Sequence, residues 1–372
     1  MNTDKPSRLL MRLGAEIAAT PDPLQADLLR AERASHLARL GHGDEALADI
    51  AALHARHDAR PHAQMSCWLA VAEGLASHFR DMGAPAADKL RRAHALSAAA
   101  GLKPLQALSA AWLAHLHYLQ LDVDATARCV HEALALAAPD HHAAQSRASL
   151  VMAQGLHFAG RIDLALPWYH RAREHANAEG DEATLSALMH NMAWLRAANI
   201  RKSALTGDGS HNEGEHALLA ADSTWNFDLM LGATSLNSLV PLLRAQILVV
   251  EGDYATALGL FEENIDLAVK QGMARVRGSF LADLALCKVL VGRLVAAQED
   301  AVAAESGIDP NGKFDSRPFI RSTLAKVFRI LGDIESAERN ETSAVREWAA
   351  HAELQARFLD TLLPPGYTIP KS

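Results

Sequence analysis

The sequence repeats a glycine-centred turn at a fixed interval in its C-terminal half. Gly252, Gly292 and Gly332 each follow an apolar run, and they are spaced by 292 − 252 = 40 and 332 − 292 = 40 residues. An alanine stands seven residues before each glycine, and another stands five residues after it. A fixed period of roughly 20–50 residues is typical of repeat architectures, in which each repeat buries its apolar face against its neighbours. The chain is therefore predicted to be a stack of repeats.

The residues between the turns predict two helices in each repeat. Apolar residues recur at helical spacing on both sides of Gly160. The glycine supplies the left-handed residue that ends the first helix. Ala153 and Ala165 are predicted to lie where the two helices cross, because antiparallel helices approach to about 8 Å only when the crossing side chains are small. Each repeat is therefore predicted to be an antiparallel helix pair.

The same spacing can be followed toward the N-terminus. Leu121 and Gly160 occupy repeat positions 39 residues apart, and Ile200 lies 40 residues further on. The next interval, 252 − 200 = 52 residues, is twelve too long, and the excess falls in a polar glycine-rich segment. The predicted organisation is N-terminal helical repeats over 1–205, an insertion loop over 206–214, C-terminal helical repeats over 215–363 and a tail over 364–372.

These features resemble the tetratricopeptide repeat. In the unit at Gly160, the two alanines are followed by Tyr169 at position +9 and Ala172 at +12. The resemblance covers about residues 24–360, and its period near 40 is longer than the common 34 residues, as in long-period arrays of bacterial proteins. HEAT and armadillo repeats share the longer period, but the alanine-glycine-alanine spacing favours the tetratricopeptide type. The resemblance implies an all-α fold, an α-α superhelix of roughly eight antiparallel helix pairs.

Charge and motif content disfavour several classes of function. The net charge is −8 and the isoelectric point about 6.2, whereas nucleic-acid binding normally needs a clustered basic face. No stretch approaches the roughly 18 apolar residues of a membrane span, and residues 1–17 lack the apolar core of a signal peptide, so we expect a cytoplasmic protein. No P-loop, Rossmann, Gly-x-Ser-x-Gly or His-Glu-x-x-His pattern occurs. We therefore expect no enzymatic activity, cofactor or metal.

The resemblance also implies a binding surface, because the first helix of each pair lines the inner face of such a superhelix. Asn191 is suited to pairing with an extended peptide backbone, and Trp194 to anchoring a partner; packing of Trp194 into the neighbouring pair is the alternative. Lys326 and Arg329 form a basic patch suited to an acidic peptide or a carboxylate, or else a solvated face. The candidate peptide- or partner-binding residues are Arg147, Gln154, His157, His190, Asn191, Trp194, Gln246, Lys326 and Arg329.

Three hypotheses for function follow. The first is a non-enzymatic scaffold or adaptor that binds a protein or peptide in the concave groove of the superhelix. The second is a regulator that responds to a peptide or small molecule and acts in trans on an enzyme or transcription factor, because a stack of helix pairs bends easily. The third is an enzyme with a cavity inside the superhelix. The sequence does not predict the identity of the partner or the oligomeric state.

Overall fold

The protein is helical throughout the part of the chain that the structure describes. The structure is a computed structural model, and it describes residues 7–81, 85–207, 214–231, 238–308 and 316–367. These ranges contain α-helices and no β-strand, which confirms the all-α prediction. The helices are α1 (Arg8–Ala19), α2 (Pro23–Leu40), α3 (Gly43–His57), α4 (Ala63–Asp81), α5 (Pro85–Ala99), α6 (Lys103–Leu119), α7 (Val123–Leu136), α8 (His142–Phe158), α9 (Ile162–Glu179), α10 (Glu182–Thr206), α11 (Gly214–Leu231), α12 (Leu239–Glu251), α13 (Tyr254–Ala268), α14 (Arg277–Leu290), α15 (Leu294–Ser306), α16 (Arg317–Leu331) and α17 (Ile334–Leu362).

The helices after α1 follow one another as eight successive pairs, from α2/α3 to α16/α17. The two helices pack closely on each other in six of these pairs, α2/α3, α4/α5, α6/α7, α8/α9, α12/α13 and α14/α15. The first helix of one pair also packs on the first helix of the next, as α2 does on α4 and α6 does on α8. Within each unit, these pairs therefore bury apolar surface both internally and against a neighbouring pair.

The marker glycines end the first helix of their pairs, as predicted. Gly252 and Gly332 adopt left-handed backbone conformations with φ of 84° and 83°. After Gly252, the backbone N–H of Asp253 donates to the carbonyl of Leu248 at 3.0 Å, and the Asp253 side chain accepts from the N–H of Thr256 at 3.1 Å. One residue pair thus ends α12 and begins α13.

Small residues lie where the helices of a pair cross. Ala153 on α8 and Ala165 on α9 have no exposed surface, and neither do Ala245 on α12 and Ala257 on α13. A side chain longer than a methyl group at these positions would push the helices apart. The structure therefore buries these repeated alanines completely, which a position at a helix crossing requires.

The predicted turn at Ile200 is wrong. Ile200 lies inside α10, a helix of 25 residues that continues to Thr206. Ile200 is 8% exposed and packs in an apolar core, so its apolar neighbours belong to a continuing helix and not to the end of one. Of the predicted insertion loop, residues 208–213 lie outside the described residues; of the predicted tail, residues 368–372 do.

Contacts divide the chain into two compact units. Unit 1 comprises Met1–Leu188, Phe227–Ser235 and Phe358–Ser372, and unit 2 comprises Met189–Asn226 and Leu236–Arg357. This division falls inside α10 and does not follow the order of the sequence. The predicted division into 1–205 and 215–363 describes the order of repeats and stays a prediction.

Unit 1 is completed by two segments, α1 and the end of α17. In α1, Leu9 and Leu13 are buried, and the backbone N–H of Leu9 donates to the carbonyl of Gly180 at 3.1 Å. At the other end of the chain, Leu362 lies against Gly155 of α8, so closely that an added Cβ on Gly155 would meet it at 2.4 Å. The start of α1 and the end of α17 therefore pack against residues in the middle of the unit 1 sequence.

Unit 2 has a core built around aromatic side chains. Phe261, Phe280 and Phe328 are almost completely buried, and they come from α13, α14 and α16. Between α13 and α14, the backbone passes through a π-helical turn, Val269–Met273, in which Gly272 has φ of 89°. The three rings therefore join α13, α14 and α16 in one apolar core.

We predict that Gly252→Ala destabilises the protein by about 1 kcal/mol. A Cβ added at Gly252 meets no atom within 4 Å, so the left-handed backbone is the only source of the cost. Gly259→Ala is the matched control, because Gly259 lies inside α13 with equally open space and should gain about 0.5–1 kcal/mol as a helix residue. Urea unfolding measures both, and changes of the same sign would contradict the prediction.

Candidate ligand-binding site

Unit 2 contains a cavity of about 1020 Å³. Its walls come from α10, α12, α14 and α16, which are the first helices of four successive pairs, and from the starts of α11 and α13. The lining residues are Ile200, Arg201, Ser203, Ala204, Leu205, Gly207, Gly214, Val249, Val250, Glu251, Tyr254, Asp283, Leu286, Leu290, Thr323, Lys326, Arg329 and Ile330.

Helical spacing explains which side chains of α16 reach the cavity. Thr323, Lys326 and Ile330 are three and four residues apart, so they share one face of the helix. Thr323 is buried, whereas Lys326 and Ile330 are exposed. The face therefore runs from the core to the open rim of the cavity, with a basic side chain between.

Two basic residues predicted from sequence, Lys326 and Arg329, line this cavity. The Arg329 guanidinium lies 2.6 Å from the carboxylate of Glu341 on α17, and both side chains are more than half exposed. Solvent screens such a pair, so it contributes little to stability. Lys326 and Arg329 thus place positive charge at the rim of the cavity, and the fold does not depend on either side chain.

A buried polar network lies at the floor of the cavity. The Arg201 guanidinium donates to the Asp283 carboxylate at 2.7 Å, and the Gln246 side-chain amide donates to the same carboxylate at 2.9 Å. Arg201 also lies over the ring of Phe319, 5.1 Å from its centre. Gln246, a predicted site residue, is therefore not among the residues that line the cavity, but it holds the lining residue Asp283 by a hydrogen bond.

The predicted cluster on α10 is placed differently from the expectation. His190 is buried, and Trp194 packs against the core of unit 2, with its ring edge-on to Phe280 at 6.5 Å. Asn191 is half-buried, and none of these three is among the described residues that line the cavity. Their predicted orientation was counted from a turn at Ile200, and α10 continues past that residue. The binding role of these three residues stays a prediction.

The predicted residues of unit 1 lie on α8, a helix that is buried on every side. Arg147 is 3% exposed and stacks on Trp112, with its guanidinium carbon 3.8 Å from the ring centre. Gln154 is 2% exposed. His157 is buried and shares a hydrogen bond of 3.1 Å with the hydroxyl of Tyr169. The three side chains are therefore enclosed, not displayed on an open groove, and their role in binding stays a prediction.

A charged cluster surrounds Trp112 in unit 1. The guanidinium carbon of Arg39 lies over the Trp112 ring, 5.4 Å from the ring centre. The same guanidinium donates a hydrogen bond of 2.9 Å to the Asp181 carboxylate. Burial alone would raise the pKa of Asp181, but Arg39 and His36 beside it hold that pKa well below its usual range. Burial lowers the pKa of His36 to about 4. At neutral pH, Asp181 is therefore an anion and His36 is uncharged.

The described residues contain neither a metal-binding cluster nor a membrane-spanning helix. Among these residues, no group of three or more histidine, cysteine, aspartate or glutamate side chains is placed to hold a metal ion. No helix in the same ranges is long and apolar enough to cross a membrane.

Comparison with known proteins identifies the fold. No protein-family model and no curated protein matches the sequence. Among solved structures, the chain is similar to the crystal structure of a Rap protein complexed with competence and sporulation factor. The match has a TM-score of 0.60 and 14% sequence identity, and it covers 93% of this chain and 98% of that one. The chain has a tetratricopeptide-like helical-repeat fold.

This tetratricopeptide-like fold confirms the fold-class prediction of an all-α, α-α superhelix. It also accounts for the position of the cavity, because the first helices of successive pairs line the inner face of such repeats. Arg201 and Asp283, which sequence reasoning missed, lie on those first helices. The signal that could have found them is a pair of opposite charges on helices otherwise made of core residues.

We predict that Asp283→Ala lowers the free energy of unfolding by about 3–5 kcal/mol, because it leaves the buried Arg201 charge without its carboxylate. Arg201 and Asp283 side chains are 9% and 3% exposed. Asp222→Ala is the control: Asp222 pairs with Arg244 in the same unit, but both are 40% exposed or more, so we expect at most about 1 kcal/mol. Urea unfolding compares the two, and equal losses would refute the difference in burial as the cause.

Proposed function

We propose that the protein is a non-enzymatic scaffold that binds a peptide segment in the unit 2 cavity. The observation that carries the proposal is the cavity of about 1020 Å³ between the first helices of successive pairs. This volume is at the upper end of the roughly 300–1000 Å³ typical of ligand sites, and it is large enough for several side chains of a peptide.

The lining of the cavity indicates which peptide it suits. Leu286, Leu290 and Val249 form an apolar wall, and Lys326 and Arg329 lie on α16. An apolar side chain gains from leaving water in such a site, while an ammonium group stabilises a nearby carboxylate. The favoured ligand is therefore a peptide that carries an acidic residue close to one or two apolar residues.

The structural neighbour supports a peptide as the ligand class. The Rap protein of similar fold is solved in complex with competence and sporulation factor, a peptide. At 14% identity, this likeness does not transfer the ligand itself. We propose for this chain only the general mode, in which helix pairs bind a short peptide on their inner face. The cytoplasmic location expected from the sequence remains part of the proposal.

A regulator that acts in trans is the second candidate function. The cavity is lined by four successive first helices, so a ligand in it would contact four pairs at once. Because each pair of a repeat protein contacts chiefly its neighbours, such a ligand would restrict their relative movement and change the outer surface that a partner enzyme or transcription factor recognises. The scaffold and the regulator thus share one binding site.

Lys326→Glu tests the proposed ligand. The probes are fluorescein-labelled hexapeptides with one central aspartate between leucines, and the same peptides with asparagine in place of the aspartate. We expect the wild type to prefer the acidic peptides, and Lys326→Glu to weaken their binding by about tenfold or more. Fluorescence polarisation measures both affinities.

Lys270→Glu is the matched control, because Lys270 is exposed in the same unit but is not among the residues that line the cavity. It makes the same change in net charge and should leave the affinity unchanged. Equal losses in the two variants would show a nonspecific charge effect. Absence of binding by any probe would refute this ligand class.

A further inference from the structure

Large apolar side chains are exposed at one edge of unit 2. They flank the turns that follow α14 and α16, and their exposed fractions lie between 40% and 77%. Leu290 and Ile330 stand two residues before the marker glycines of these turns, and Leu294 and Ile334 stand two residues after them. We call this set the turn-edge surface, and its members are Leu290, Val291, Leu294, Val295, Ile330 and Ile334.

The turn-edge surface repeats with the helix pairs. Leu290 and Ile330 both line the cavity, as does Val250 at the same repeat position before Gly252. Because α12 packs on α14 and α14 on α16, residues at one repeat position recur at about the distance between packed helices, roughly 8–10 Å. Single exposed apolar residues are common on protein surfaces, whereas a contiguous exposed set indicates an interaction site.

In unit 1, a helix covers the equivalent position. Phe158 stands two residues before the glycine of the turn that follows α8, and it is only 4% exposed. The ring of Phe358, near the end of α17, lies edge-on to Phe158 at 5.3 Å and to Tyr118 of α6 at 5.8 Å. Leu362, one turn further along α17, lies against α8. Apolar residues of one helix thus cover the ends of two successive first helices within unit 1.

The interval between repeats in unit 2 also fits a helix. Residues seven apart in an α-helix lie on one face, about 10.5 Å from each other. Residues on one face of a β-strand recur at about 6.6 Å and then at about 13 Å. Only the helix matches an interval of roughly 8–10 Å. To reach across three repeats, the helix needs about two heptads, or about 21 Å.

The charges at this edge indicate the sign of the partner. The nearest basic side chains on α16 and at the α14/α15 turn already have carboxylate partners, because Arg329 pairs with Glu341 and Arg293 with Glu262. Lys326 lines the cavity one turn before the end of α16. Acidic residues adjoin the turns after α12 and α16, and these are Glu251, Asp253, Asp333 and Glu335. A partner with basic side chains would therefore complement the edge.

We propose that the turn-edge surface binds an amphipathic α-helix of a partner protein, with apolar residues in a heptad pattern and lysine or arginine beside them. The apolar face of that helix covers the exposed side chains, much as the end of α17 covers Phe158 in unit 1. Binding of an amphipathic helix through residues spaced by three, four and seven positions is a general mode of protein recognition. The basic side chains lie beside the acidic turns.

This helix site adjoins the cavity but does not rest on the peptide proposed there. Leu290 and Ile330 belong to both surfaces, whereas Leu294, Val295 and Ile334 are not among the residues that line the cavity. The last three residues can therefore be changed without altering the cavity lining. The two shared residues also give a ligand in the cavity a direct contact with the helix site.

The test uses synthetic helical peptides of about three heptads and fluorescence polarisation with the full chain. The first peptide has leucine at heptad positions a and d, lysine at e and g, and alanine or glutamine elsewhere. The second has glutamate in place of lysine, and the third has the composition of the first with its leucines out of the heptad pattern. We expect the first to bind at least about tenfold more tightly than the others. Equal binding of either other peptide would overturn the proposal.

Leu294→Gln combined with Ile334→Gln should weaken binding of the lysine peptide by about tenfold or more, because two apolar contacts are lost. Both residues begin their helices and are 51% exposed, so the melting temperature should not change. Val302→Gln with Val345→Gln is the matched control. These two valines are exposed on the same helices, two and three turns beyond the turns, and their replacement should keep the affinity.

Equal affinity of the wild type and the Leu294/Ile334 variant, or equal losses in this variant and its control, would refute the site. If the double variant does not fold, Val295→Gln replaces it, because Val295 is the most exposed member of the surface at 77%. This single change should weaken binding about threefold. The Leu294/Ile334 variant should still bind the acidic hexapeptides, so the helix site and the cavity can fail separately.

Two measurements test other occupants of the surface. Light scattering would detect a dimer, and a dimer that the Leu294/Ile334 variant abolishes would overturn the partner helix in favour of a second copy of the chain. Flotation with vesicles of phosphatidylcholine and phosphatidylglycerol tests a lipid surface, and vesicle binding that the same variant abolishes would also overturn the proposal. We expect a monomer that binds the lysine peptide and no vesicle.

Discussion

The close approach of two helices at a methyl-sized contact is the constraint on which this structure depends. Ala153 on α8 and Ala165 on α9 have no exposed surface in a closely packed helix pair, and Ala245 and Ala257 of α12 and α13 are buried in the same way. Only at this distance can the larger side chains on either side, such as Trp168 and Tyr169, be fully buried between neighbouring helices. The left-handed glycine after the first helix then fixes where the second begins. The geometry of the helix pair thus determines which positions are not needed for packing and remain available for binding.

The available positions lie on the inner faces of the first helices, and the two units use them differently. In unit 1, α8 is buried from Ala144 to Phe158, so its polar side chains form enclosed contacts with Trp112 and Tyr169. In unit 2, the corresponding faces of α14 and α16 border a cavity, and the outermost polar side chains of α16 reach solvent. A repeat of one backbone design therefore produces an enclosed polar cluster in one place and an open site in another, according to what packs against it.

Sequence reasoning succeeds here wherever structure is determined by neighbours along the chain. The turns at Gly252 and Gly332 and the crossing alanines are local features, and their spacing alone predicts them. The turn at Ile200 failed because an apolar residue at the expected interval is equally compatible with a helix that continues. The packing of α1 near Gly180 and of Leu362 on Gly155 joins residues more than 150 positions apart. No periodic pattern encodes such contacts.

The residues of the candidate site divide in the same way, into those predictable from local sequence and those that depend on contacts between distant residues. Lys326 and Arg329 were found because they are charged residues at exposed positions of a first helix, a property visible in the repeat. Arg201 and Asp283 were missed because their partnership joins α10 to α14 across 82 residues. The buried Arg201–Asp283 pair and the rim residues Lys326 and Arg329 also differ in which substitutions they tolerate. The buried pair must remain complementary, since either charge alone would be costly to enclose, whereas the rim residues do not contribute to the packing of the helix pairs. Ligand preference can therefore change at Lys326 while the fold stays constant. In this architecture, specificity is carried by the residues that the core does not need.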